Sequence, residues 1–268
     1  LSCTAQNDTT RVVAYIDSTG AAFAKLYDVA TDTLKYTTAL TEGGSSPVFV
    51  RTVSCGEFVH VLVADDVDEV VYCYSFHNDA TEVTRITSVL SCDPAVGSPF
   101  DVWKFDENKF LVGSIHGGIR LSWMNYNGAP NITTLAQNTE FATTGTANNL
   151  AICVHPVTKN VAVFYANSTP AQKLIVYDEY GNAISAVHSV GSLSSINHLA
   201  IAPSYVDEYY HLYADQPSTV YRYTYNVAGS VSAATRYNAH LASRACRVGN
   251  VPFVWLTNTS NLDAPLQT

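Results

Sequence analysis

An apolar run with the look of a β-strand returns about every 50 residues along this chain: Val12-Val13-Ala14-Tyr15, Val59-His60-Val61-Leu62-Val63, Phe110-Leu111-Val112, Val161-Ala162-Val163-Phe164, Tyr210-His211-Leu212-Tyr213 and Phe253-Val254-Trp255-Leu256. Their first residues lie 47, 51, 51, 49 and 43 apart. A second mark keeps the same interval: an aromatic residue followed by a turn residue, at Tyr27-Asp28, Phe76-His77, Tyr126-Asn127, Tyr177-Asp178 and Tyr225-Asn226, with steps of 49, 50, 51 and 48. The stretch 149–190 shows what one interval holds. It reads as four strands, Leu150–Val154, Val161–Tyr165, Leu174–Tyr177 and Ala183–Val187, separated by turn compositions such as His155-Pro156-Val157-Thr158-Lys159-Asn160 and Asp178-Glu179-Tyr180-Gly181-Asn182. A sheet of four short strands leaves an apolar face that only another copy can cover. The pattern therefore predicts an all-β chain, a β-propeller of about six repeats of roughly 48 residues, in a single domain over 1–268.

The intervening segments agree with that reading. Gly43-Gly44-Ser45-Ser46-Pro47, Val96-Gly97-Ser98-Pro99, Thr144-Gly145-Thr146-Ala147 and Val190-Gly191-Ser192-Leu193-Ser194 read as crossings between repeats that start near residues 1, 48, 99, 148, 197 and 243. No apolar segment keeps a helical period beyond a turn or two, and none approaches the roughly 20 residues that span a bilayer. Net charge is −9 with 14 Lys and Arg, which predicts no basic stripe for a phosphate backbone and argues against a nucleic-acid partner. Charged residues are only 14% while Ser, Thr, Asn and Tyr are plentiful, a composition suited to an extracellular protein or a virus particle. None of the six cysteines has CxxC spacing, so they read as buried thiols. One exception is weighed: closing a ring of repeats would make the first strands of repeats one and six neighbours, and a Cys3–Cys246 disulfide would then tie the ends.

His155-Pro156-Val157-Thr158-Lys159-Asn160-Val161-Ala162-Val163, followed by Leu174-Ile175-Val176-Tyr177-Asp178 and Gly181-Asn182, resembles the repeat of YVTN or lactonase-like β-propellers. The resemblance implies a propeller whose function sits in loops at the mouth of its central channel. No catalytic residue carries over, because no matching set of metal ligands is present.

Candidate chemistry was sought at five places. The hairpin Asp65-Asp66-Val67-Asp68-Glu69 has oxygen ligands for Ca²⁺ but lacks the glycine and spacing of an EF-hand loop, and reads as a solvated turn. The eight histidines include no HExxH pair, and His60 and His211 are read as equivalent strand positions with a structural role. No G-x-S-x-G nucleophile motif or sialidase-type Asp box occurs. Tyr221, Tyr223 and Tyr225 alternate along one strand, so they share a face that either stacks on sugar rings or, as expected here, fills the space between repeats. Asn7, Asn131, Asn167 and Asn258 begin N-x-Ser/Thr sequons and are permitted glycosylation sites.

The sixth repeat has a second strand at Phe253, Val254, Trp255 and Leu256, and then only Thr257 to Thr268 follow. An unfinished sheet presents an edge, and another copy or another protein is expected to add a strand there. These observations together predict a non-enzymatic structural or interaction subunit, without a cofactor, in an extracellular assembly or virus particle. Two alternatives are a lactonase-like or glycan-processing hydrolase with residues at the channel mouth, and a glycan-binding propeller.

Overall fold

The computed structural model describes residues 2–40, 46–77, 84–126, 130–138, 147–167, 171–193, 196, 198–204, 209–216, 219–226, 230–232, 235–238, 242–248 and 251–257. All regular structure among them is β, in six antiparallel sheets that follow one another along the chain. This is the expected β-propeller architecture, each sheet being one blade. Two compact units are distinguished, one of Leu1–His116 with Arg120–Thr134 and the other of Gly117–Ile119 with Leu135–Thr268.

In the first unit, blade one is β1 (Ser2–Gln6), β2 (Thr10–Ile16), β3 (Ala22–Asp28) and β4 (Leu34–Ala39). Blade two is β5 (Pro47–Cys55), β6 (Phe58–Asp65), β7 (Val70–His77) and β8 (Thr84–Ser91). Blade three is β9 (Phe100–Lys104), β10 (Lys109–Ile115), β11 (Ile119–Tyr126) and β12 (Pro130–Asn138), the last running past the unit boundary. Blade two is apolar on both faces because it is covered on both. Val59, Val61, Val63, Tyr72, Tyr74 and Phe76 meet Val12, Ala14, Ala24 and Leu26 of blade one. Residues of the opposite parity, Leu62, Ala64, Val71 and Cys73, meet Phe100, Val102, Phe110 and Val112 of blade three. Alternation along β6 thus builds two cores at once.

In the second unit, blade four is β13 (Ala147–Val154), β14 (Val161–Asn167), β15 (Ala171–Tyr177) and β16 (His188–Ser192). Blade five is β17 (His198–Pro203), β18 (Tyr209–Gln216) and β19 (Thr219–Asn226), with β20 (Ser230–Val231) and β21 (Thr235–Asn238) sharing the outer position against β19. The sixth sheet pairs β22 (Ala242–Val248) with β23 (Val251–Thr257).

The fourth strand of blade four departs from expectation. It was placed at Ala183–Val187, but pairing with β15 is carried by His188–Ser192, and Ala183 makes only an isolated bridge to Tyr177. A serine is the cause: Ser185 Oγ accepts the Val176 N–H at 2.9 Å, while Ile184 N–H donates to the Val176 carbonyl at 2.9 Å. A side chain thus takes the place of a ladder acceptor and the strand bulges. Blade five repeats the device, with Ser232 Oγ accepting the Thr224 N–H at 2.8 Å between β20 and β21.

A side-chain acceptor closes the turn after the second strand of three blades. Asp17 Oδ1 accepts from Thr19 N–H at 2.8 Å and Ala21 N–H at 3.0 Å. Buried Asp65 accepts from Val67 and Asp68 through Oδ1, at 2.9 and 3.0 Å, and from Ser46 through Oδ2 at 2.8 Å. Asn167 Oδ1 accepts from Ala171 at 3.1 Å, whereas in blade five Asp215 Oδ1 accepts the N–H of His198 at the start of the first strand. These bonds satisfy amides that the ladder leaves over. His60 and His211 stand on corresponding faces of their blades, in agreement with their reading as equivalent strand positions: His60 meets Phe110 of blade three, and His211 is on the face opposite to Tyr210, which meets His155 of blade four. His60 is buried and its Nδ1 lies 2.8 Å from Ser75 Oγ, while His211 is only half-buried.

Cys55, Cys73, Cys92 and Cys153 are free and buried, as expected of core thiols. Burial pushes the thiols of Cys55, Cys73 and Cys92 up to about 12, leaving almost no thiolate at neutral pH. In the native protein at pH 8 these three are expected to resist a thiol reagent for hours, and to react at once in denaturant. Cys3 and Cys246 lie on β1 and β22, whose side chains are outside the described set. The same titration therefore decides the Cys3–Cys246 bridge: four reactive thiols in denaturant support it and six remove it.

Candidate functional site

One end of blade four gathers the most exposed large apolar and aromatic side chains among the described residues of the second unit. Val154 stands opposite Val161, and Val161 opposite Tyr177. The turn after β13 and the turn after β15 therefore leave the sheet at the same end. The first is folded by His155, whose Nδ1 accepts the N–H groups of Val157 and Thr158 at 3.3 and 3.2 Å, and it carries Val157 at 76% exposure. The second is folded by Asp178. Its Oδ1 accepts the N–H groups of Tyr180 and Asn182 at 2.9 and 2.8 Å, and its Oδ2 accepts Asn182 Nδ2 at 2.8 Å. Gly181, at φ 86°, lets the chain reverse in the left-handed region. Hydrogen bonds, with that from Asn182 Nδ2 the strongest, hold the Asp178 carboxyl below its ordinary range.

These constraints present Tyr180 at 73% exposure on a turn with little freedom of its own. A hydrogen bond to the neighbouring Glu179 carboxylate pushes the Tyr180 hydroxyl above its ordinary range, so it stays protonated. A flat ring, a carboxylate and the Asn182 carboxamide within one four-residue turn can stack on an apolar ring face and hydrogen-bond hydroxyl groups around it. The sequence shows this segment only as a turn; what singles out Tyr180 is its exposure. Blade five adds Tyr209, 37% exposed, opposite Asn226 at the matching end of its sheet.

The residues singled out from sequence fall elsewhere. Tyr223 and Tyr225 are buried between blades four and five: the Tyr223 hydroxyl donates to Gln172 Oε1 at 3.3 Å, and the Tyr225 ring lies 5.1 Å from His188 and 6.3 Å from Tyr210. The ladder is packing, as expected. Asp65 of the acidic hairpin is the buried turn acceptor already described, and residues 66–69 are exposed. No three His, Cys, Asp or Glu side chains converge as a metal set among the described residues, and no helix among them is long and apolar enough to cross a membrane.

Phe253, Val254, Trp255 and Leu256 lie in β23, paired along their length with β22. The edge expected beyond them falls in 258–268, outside the described residues, as does Asn258. Asn7 is at the surface, although its Oδ1 accepts from Thr10 N–H at 2.7 Å and its Nδ2 donates to the Glu57 carbonyl at 3.4 Å. Asn131 is on β12, with its side chain outside the described set. Asn167 is 1% exposed, and its Oδ1 accepts the Ala171 N–H in its own turn.

No family model and no curated protein matches the sequence, so the YVTN or lactonase resemblance extends no further than the propeller fold. Solved structures do match. The chain is similar to AofleA from Arthrobotrys oligospora at 10% identity and TM-score 0.60, covering 97% of this chain and 76% of that one. It is similar to the fucose-specific lectin from Aleuria aurantia, a six-bladed β-propeller, at 10% identity and TM-score 0.56, covering 99% and 93%. It is also similar to TolB from Acinetobacter baumannii, at 11% identity and TM-score 0.54, but covers 90% of this chain and only 54% of TolB. At these identities the likeness establishes the β-propeller fold.

Proposed function

We propose that this chain is a glycan-binding β-propeller. The observation that carries the reading is Tyr180, an exposed aromatic ring fixed by the Asp178 turn beside Glu179 and Asn182. A sugar ring has one face of C–H groups and a rim of hydroxyls. The Tyr180 ring meets the first, and Glu179 and Asn182 meet the second. Support comes from the likeness over nearly the whole chain to propellers described as fucose-specific. That likeness favours glycan binding over the structural subunit anticipated from composition. The location anticipated from composition, outside the cell or on a virus particle, is retained as part of the proposal.

A glycan array probed with the protein and with Tyr180→Ala tests the reading. The protein is expected to retain at least one glycan class, and the variant to lose about tenfold in apparent affinity, as loss of an interfacial aromatic anchor does. Tyr180 is at the surface, so the melting temperature should not move. No retention of any glycan would refute the function, and retention unchanged by Tyr180→Ala would refute the site.

A further inference from the structure

The net charge of −9 conceals a segment of the opposite sign. From Gln216 to Leu262 the chain has four arginines, Arg222, Arg236, Arg244 and Arg247, and no Asp or Glu. All 23 acidic residues lie elsewhere. Arg222 stands on one face of blade five, and Arg236, opposite Tyr221, on the other. Tyr210, Tyr223 and Tyr225 of that blade face blade four. The opposite face carries His211 and Tyr213 of β18, with Thr224 and Arg222 as their cross-strand partners on β19. β22, whose seven residues include Arg244 and Arg247, runs beside β17, β18 and β19.

Among the described residues, Arg222 on this face has no carboxylate partner. Its Nε is buried with no hydrogen-bond partner, and its Nη2 donates to His211 Nδ1 at 3.3 Å. Burial, and then the Arg222 charge, hold the His211 imidazole below its ordinary range, so it is neutral at pH 7 and accepts that bond. Asp215 shares the face by strand parity, but it is fully buried and turned to His198, accepting the backbone N–H through Oδ1 with Oδ2 3.5 Å from the ring Nδ1. A half-buried guanidinium without an acid is a strong attractor for an anion that can take two of its N–H groups, as a carboxylate or sulfate does.

We propose that the face of blade five bearing Arg222 and His211 binds the acidic group, carboxylate or sulfate, of an anionic glycan. The proposal rests on the glycan-binding reading above and names the class of sugar. Thr224 lies on the same face, with a hydroxyl suited to the sugar that carries the charge.

Titration with 3′-sialyllactose, 3′-sulfolactose and neutral lactose and fucosyllactose, at pH 7 and fixed salt, tests it. At least one acidic sugar is expected to bind about tenfold more tightly than lactose, and Arg222→Gln should abolish the difference while leaving neutral binding intact. Preference for the sialylated or the sulfated probe identifies the anion. If Arg222→Gln fails to fold, Arg222→Lys, which keeps the charge but not the paired N–H groups, serves in its place and should lower the acidic preference alone. Equal binding of neutral and acidic sugars would overturn this inference and leave the glycan-binding reading standing. Binding of none would overturn both. An acidic preference that survives the substitution of Arg222, or that duplex DNA matches with a steeper salt dependence, would also overturn the inference.

Discussion

Phe100→Ala should lower the unfolding free energy by about 3–5 kcal/mol, the range for a fully buried aromatic whose cavity cannot collapse. Phe100 is 0% exposed, and its ring meets that of Phe49 edge to face at 5.3 Å. Phe49 is on β5 and Phe100 on β9, so the pair joins blade two to blade three. Around it lie Val102, Phe110 and Val112 of one sheet and Leu62, Val71 and Cys73 of the other, all buried. Neither sheet can move inward to fill the hole without breaking its own ladder. Domains of this size have only about 5–15 kcal/mol in total, so the loss is a large fraction. Urea unfolding reads it as a lowered midpoint at unchanged slope. Leu34→Ala, at a side chain 51% exposed, should change stability by less than about 0.5 kcal/mol. A Phe100→Ala effect as small as that of Leu34→Ala would mean that the two blades do not share this core.

His60 makes the first unit acid-labile. It is fully buried between Ser75 Oγ, 2.8 Å from its Nδ1, and the Phe110 ring, at 4.8 Å, and burial pushes its imidazole down to about 3 from 6.5. Between those two values the unfolded chain holds a proton that the folded chain refuses. Stability therefore rises with pH across the window and is lost as pH falls from about 6.5 toward about 3, below which both states are protonated and the loss levels off. At pH 4 the deficit from this one residue amounts to about 3 kcal/mol. His60→Gln, which keeps a partner for Ser75, should unfold at nearly the same urea concentration at pH 7 and pH 4.5 over the part of the profile due to His60. An unchanged pH dependence in that variant would place the acid lability elsewhere.

The repeat was legible because propeller blades must cover one another, and that demand is written into the chain as a period. Second strands begin at Thr10, Phe58, Lys109, Val161, Tyr209 and Val251, each within two residues of the apolar run that marked it. The turn acceptors Asp17, Asp65 and Asn167 were also in plain view. Aligning on the apolar runs sets Val59 against Tyr210, and both face the preceding blade, with His60 and His211 turned the other way. The bulges at Ser185 and Ser232 were not legible, since a serine that replaces a ladder acceptor is indistinguishable in sequence from one facing solvent.

The candidate site was harder to see for a related reason. Asp178-Glu179-Tyr180-Gly181-Asn182 has a turn composition, and only the hydrogen bonds of Asp178 reveal that the turn is rigid and holds a tyrosine outward. The tyrosine ladder, conspicuous in sequence, proved to be the packed feature. The stretch from Gln216 to Leu262, with four arginines and no acid, was hidden by averaging, because net charge is a property of the whole chain.

A crystal structure of the protein with an oligosaccharide retained from the array tests the central claim most directly. The account predicts a sugar ring stacked on Tyr180 with its hydroxyls toward Glu179 and Asn182. Sugar density confined to surfaces that include neither the Tyr180 turn nor the Arg222 face of blade five would contradict it.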